Sequence, residues 1–99
     1  MSTRFDNQPC VYILTNKYNT VLYTGVANDL PTRIDQHRGN PSYGFAARYN
    51  AKKLVYVEAV EDMDQGLFRE KQIKSWSRQR KVELINSLNP CWEDLSGAI

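Results

Sequence analysis

Three stretches of the chain read as strands. Cys10-Val11-Tyr12-Ile13-Leu14-Thr15 and Lys53-Leu54-Val55-Tyr56-Val57-Glu58-Ala59 are dense in β-branched and aromatic residues. Thr20-Val21-Leu22-Tyr23-Thr24 has the same character and is expected to end at Gly25. Between Thr15 and Thr20 lies Asn16-Lys17-Tyr18-Asn19, whose asparagines tolerate left-handed backbone angles, so the two strands it joins predict an antiparallel hairpin. With a loop of two or four residues, Thr15 pairs with Thr20 and the ladder runs back to Tyr12 opposite Tyr23. Directly opposed residues share a face, so both phenols project together. A loop of three or five residues breaks that pairing by one position.

Other stretches read as helices. Asp29 is an N-cap, Pro31 is tolerated in a first turn, and Leu30 with Ile34 forms an i,i+4 apolar pair. Arg33 and His37 share that spacing and project from one side, at the edge of the buried stripe. Gly39-Asn40-Pro41 stops this helix, and residues 42–52 read as a loop or a short helical turn. Asp62 to Gln65 opens a second helix running to about Trp76. Its Met63, Leu67, Phe68, Ile73 and Trp76 go most of the way round, which predicts burial on more than one side. Ser77 caps a third helix, Arg78 to Leu88, stopped by Asn89-Pro90. The fold expected is α+β: a three-stranded antiparallel sheet flanked by about three helices, one domain over residues 1–99.

Ninety-nine residues support one modest core, so any site must lie at its surface. No apolar run approaches the ~18–20 residues of a membrane span, and the polar N-terminus lacks a secretory segment. A cytoplasmic location is the expectation. Cys10 and Cys91 stand far apart, and His37 is the single histidine, so the spacings of a zinc site are absent. The net charge of +2 is unevenly spread. Arg69, Lys71, Lys74, Arg78, Arg80 and Lys81 face only Glu70, whereas Glu58, Glu61, Asp62 and Asp64 cluster without a cation. A cationic segment suits a phosphate-bearing partner, although charge runs are commonly solvated helix faces.

Val11-Tyr12 and Tyr23-Thr24-Gly25 resemble the two halves of the GIY-YIG nuclease motif, at a similar spacing. The similarity continues through Asp29-Leu30, Arg33 and His37, through Arg69 to Trp76, and through Asn89 to Leu95. It covers nearly the whole chain and resembles the small stand-alone branch related to the UvrC N-terminal nuclease domain. Cys10 stands in place of the first glycine and Thr24 in place of isoleucine. Val26 stands where some relatives carry lysine, which leaves His37 as the candidate acceptor for a tyrosine proton.

The resemblance implies a metal-dependent endonuclease that hydrolyses DNA phosphodiester bonds, with a role in DNA repair or processing. It implies Mg2+ or Mn2+ on Glu70, with waters filling the other positions. It implies Arg33 against the scissile phosphate, Tyr12 and Tyr23 lining the same cleft, and Asn89 supporting the site by hydrogen bonding, with Asn86 a rival position. His37 titrates near neutrality and suits proton transfer. A free tyrosine, with a pKa near ~10, is a poor base unaided. Lys74, Arg78, Arg80 and Lys81 are candidates for phosphate-backbone contacts with little sequence preference. A protein partner or a second copy of the chain is expected to supply specificity.

Simpler readings stand beside these. Glu70 and Lys74 form an ordinary i,i+4 surface pair, the two tyrosines pack as amphipathic aromatics across a hairpin, and Trp76 and Trp92 belong to the core. The alternative function is a non-catalytic nucleic-acid-binding domain of the same fold.

Overall fold

The computed structural model describes residues 5–39 and 50–99. Strand β1, Cys10–Thr15, lies at the centre of an antiparallel sheet between β2, Leu22–Ala27, and β3, Lys53–Ala59. All six β1 residues are buried, because a central strand covered on both faces has no solvent side to alternate with. Helix α1, Leu30–Gly39, covers one face, where Leu30 and Ile34 join Cys10, Tyr12 and Leu14 in one apolar cluster. Helices α2, Met63–Lys74, and α3, Arg78–Leu88, serve the other face. There Ile73 and Ile85 pack with Val11, Ile13 and Val55. A short 3-10 turn, Leu95–Ala98, lies against β3.

The helix starts follow the capping logic. Asp29, Asp62 and Ser77 accept from the backbone N–H groups of Thr32, Gln65 and Arg80. The Gln65 side chain turns to Glu61 at 3.3 Å. Expectations for Asn40-Pro41 and for most of the 42–52 segment fall on residues outside those described.

Three expectations are corrected. β2 runs from Leu22 to Ala27, so Gly25 sits inside the strand rather than ending it. Thr15 pairs with Leu22, which leaves a six-residue connection, 16–21, and puts Tyr12 opposite Gly25 and Tyr23 opposite Leu14. The side chain of Asn16 causes the longer turn: Oδ1 accepts from the N–H groups of Thr20 (2.8 Å) and Val21 (3.3 Å), and Nδ2 donates to Thr20 Oγ1. Asn19 closes the turn at φ 59°, a left-handed angle that asparagine tolerates. Six is even, so the phenols keep a common face and meet diagonally. Lastly, α2 is buried along one line only. Gly66 and Ile73 face the sheet, while Leu67 is 44% and Phe68 72% exposed, because no described layer covers the helix's outer side.

Candidate active site

Three elements bring three rings together on the α1 face. Tyr12 comes from β1, Tyr23 from β2 and His37 from the last turn of α1. Ring centroids stand 6.3 Å apart for the tyrosines, 6.1 Å for Tyr12 and His37, and 5.4 Å for Tyr23 and His37. The Tyr12 hydroxyl lies 3.1 Å from His37 Nε2, a hydrogen bond whose direction depends on which ring nitrogen carries the proton. Tyr12 is wholly buried and His37 2% exposed, whereas Tyr23 is half-buried. Tyr23 is therefore the phenol of the pair with access to solvent.

Arg33 stands one helical turn before His37 and is half-buried. Burial, and then the positive charge of Arg33, hold the His37 pKa below the ordinary 6.5. The imidazole is thus neutral at physiological pH. With a folded-state pKa below the unfolded one, the unfolded chain takes up the proton first as pH falls. Stability should be flat in this respect above about pH 6.5 and decline below it, through the window down to the folded value. Because the chain has one histidine, an NMR titration reads this group without ambiguity. Arg33→Gln should raise its pKa toward 6.5, and an unmoved value would show that the two charges do not interact.

Glu70 lies on α2 one turn after Gly66, on the helix side that faces β2. The α2 backbone approaches closely there: a Cβ on Gly66 would lie 2.7 Å from Val26 Cγ2. The Glu70 side chain is 17% exposed, and Lys74 Nζ stands 3.7 Å from its Oε1. That is an ion pair longer than a hydrogen bond, so the carboxylate keeps lone pairs for another ligand. Lys74 also lines a pocket of about 260 Å³ with Leu22, Tyr23 and Thr24 of the edge strand β2. Among the described residues, no three His, Cys, Asp or Glu side chains gather into a metal cage. Glu70 fits a hydrated magnesium or manganese ion held through one carboxylate, a mode normal for these ions.

Other predicted residues have local employment. Asn89 is buried at the end of α3; its Nδ2 donates to the carbonyls of Val55 and Glu93, and its Oδ1 accepts from Glu93 N–H. It ties α3 to β3. Asn86 Oδ1 accepts from Trp92 Nε1 at 2.6 Å. Arg78 donates to the carbonyls of Asn19 and Thr20, bracing the hairpin turn, and the Arg80 guanidinium lies 4.0 Å from the Trp76 ring centroid. Lys81 is half-buried on α3. Trp76 and Trp92 are partly buried against the second apolar cluster, in keeping with a core role. Cys10 fills the first cluster from the position where a glycine was expected, and burial pushes its thiol up to about 11.

Sequence reasoning named Gly25 and Asn16 but not what they do for the site. Tyr12 lies across Gly25: a Cβ there would meet Tyr12 Cζ and Oη at 2.5 Å. The signal available was an isolated glycine in a strand-like run, which marks close approach of another group.

These elements and this sequence define a chain of the GIY-YIG class. The chain belongs to the GIY-YIG catalytic-domain family, whose model matches residues 8–83. Its relatives include a UPF0213 protein of Staphylococcus saprophyticus, 36% identical over 76 residues, which span 77% of this chain and 92% of that protein. UPF0213 proteins of Staphylococcus aureus are 36% identical over 64 residues, spanning 65% of this chain and 78% of theirs. The solution NMR structure of a UPF0213 protein from Bacillus halodurans shares the fold, with a TM-score of 0.56 at 25% identity. It covers 88% of this chain and 92% of that one. Asn89 lies beyond the matched range. Among the described residues no helix is long and apolar enough to cross a membrane.

Proposed function

We propose that this chain is a metal-dependent endonuclease acting on DNA phosphodiester bonds. The observation that carries the reading is a buried histidine joined to Tyr12 at 3.1 Å and set beside the accessible Tyr23. Hydrolysis requires a water that loses a proton as its oxygen attacks phosphorus. Tyr23 takes that proton while passing its own toward His37, which the surroundings keep neutral and ready to receive it. Tyr12 touches no solvent, so it acts as a positioning residue that fixes the imidazole. Arg33 binds the phosphoryl oxygens through its fork of donors as their charge grows. That same negative charge offsets the effect of Arg33 on His37, so the imidazole gains basicity as the reaction proceeds. Glu70 would hold the divalent ion, which when bound supplies Lewis-acid stabilisation of the phosphoryl charge. The leaving oxygen takes a proton from solvent.

The test is nicking of plasmid, branched and single-stranded DNA with magnesium or manganese, and with EDTA as the control. Cleavage that requires the metal is the expected result. DNA binding without cleavage under any of these conditions would leave the non-catalytic reading of the fold in its place.

A further inference from the structure

At the hairpin end of the sheet, the turn, the end of α1 and the start of β3 enclose a pocket of about 330 Å³. Lys17, Arg38, Asn50, Lys52, Lys53 and Asp94 line it. Two of these charges cancel. Arg38 Nη2 lies 2.9 Å from Asp94 Oδ2 and also donates to the Lys52 carbonyl and to Ser96 Oγ. Asp94 Oδ1 in turn accepts from the N–H groups of Leu54 and Ser96. The pair forms a fixed wall. Three cationic residues remain, Lys17, Lys52 and Lys53, with no second carboxylate among the described residues of the lining.

We propose that this pocket binds a further phosphate of the nucleic-acid strand whose scissile phosphate occupies the Tyr23 site. The proposal rests on the nuclease reading given above. Three cationic residues lining one concave surface give it a positive potential that favours an anion. The pocket is also preorganised. Lys17 stands on the turn that Asn16 organises from within and that Arg78 braces from α3 through two carbonyls. The Lys17 ammonium lies 4.9 Å from the Tyr18 ring centroid, which restricts its reach. Lys53 is half-buried in β3 opposite Thr15. The spacing is suitable as well. Tyr23 and Lys53 flank β1 from opposite sides at adjacent residues, Leu14 and Thr15, so they stand two strand spacings apart, roughly 10 Å. A nucleic-acid strand carries its phosphates closely enough for one strand to reach both places. This surface, rather than α3, carries the strand, since Arg78 donates to two backbone carbonyls and the Arg80 guanidinium stacks over the Trp76 ring.

The experiment is fluorescence anisotropy of a short fluorescein-labelled duplex, titrated over a range of salt with EDTA present so that no cutting occurs. Cleavage with magnesium is measured in parallel. Each phosphate contact contributes about −0.9 to the slope of log affinity against log salt. Replacing Lys17, Lys52 and Lys53 together with glutamine should flatten the slope by about 2–3 units. Lys17→Gln alone, on the exposed turn where folding is not at risk, should flatten it by about one unit. Arg80→Gln should leave it near the wild-type value. If the wild type binds and cleaves while the triple and Lys17 variants keep its slope, the pocket is overturned and the nuclease reading stands. If binding depends on the pocket but cleavage never occurs, the pocket stands and hydrolysis falls. A wild type that binds no DNA at low salt removes both.

Discussion

Glu70→Ala should lose metal-dependent DNA cleavage by about a thousandfold or more while remaining folded. A divalent ion acting as Lewis acid supplies several kcal/mol of transition-state stabilisation. Each ~1.36 kcal/mol is tenfold in rate, so losing the ligand that holds the ion gives that scale. The fold has little at stake, because this carboxylate meets Lys74 at 3.7 Å in an i,i+4 pair with an exposed lysine. Such pairs contribute about 0.3–0.5 kcal/mol, so melting should shift by no more than about 4 °C. Lys74→Ala breaks the same pair from the other side and separates the two readings of Glu70. If the carboxylate serves only the ion pair, both variants behave alike. If it holds a metal, Lys74→Ala keeps cleavage within about tenfold of wild type and Glu70→Ala does not. Plasmid nicking beside circular-dichroism melting reads both quantities, and undiminished cleavage by Glu70→Ala would falsify its role as the metal ligand.

Gly25→Ala should damage stability and activity together. Position 25 lies opposite Tyr12 in the β1–β2 ladder, and an added Cβ would come within 2.5 Å of two Tyr12 ring-end atoms. Tyr12 is wholly buried among Cys10, Leu14, Leu30 and Ile34, so the ring has no free space to move into. Overpacking of this kind costs about 1–3 kcal/mol. For a domain of this size that lowers the melting temperature by roughly 5–20 °C. The displaced phenol would also lose His37, and a misplacement of about 1 Å in a catalytic constellation can cost about a hundredfold in rate. Tyr12→Phe isolates the hydroxyl: it removes the hydrogen bond, worth about 1 kcal/mol, and leaves the ring in place. The double variant removes one of the two 2.5 Å clashes, so it should be less destabilised than the sum of the single variants. Strict additivity in calorimetry would mean that residues 12 and 25 are not in conflict.

Much of this could be read along the chain, for identifiable reasons. The limits of β1, β3 and α3 follow from dense β-branched runs and from local caps, both determined by neighbours in sequence. Ser77 starts α3 and Asn89 ends it through local bonds, the Ser77 hydroxyl accepting from Arg80 N–H and the Asn89 backbone N–H donating to the Ile85 carbonyl. The common face of Tyr12 and Tyr23 also survives, since strand parity needs only an even loop. Their diagonal offset does not, because Asn16 spends its side chain on Thr20 and Val21 and lengthens the turn to six residues.

Residue type, order and spacing along the chain thus determined the fold class and the family. Tertiary structure decided what each side chain spends its polar groups on. From sequence, Arg78 and Arg80 are two cations in a basic run, like any others. In the fold, one braces a distant hairpin turn and the other lies over Trp76, while Lys17 and the neighbouring pair Lys52 and Lys53, far from it along the chain, line one pocket. The same holds for burial within the site. Two tyrosines alike in sequence part roles because β1 is covered on both faces and β2 is an edge strand, which leaves Tyr23 as the phenol with access to solvent. Charge and periodicity are local properties that a sequence displays; partnership and exposure depend on which distant elements arrive alongside, and only the packed molecule supplies those.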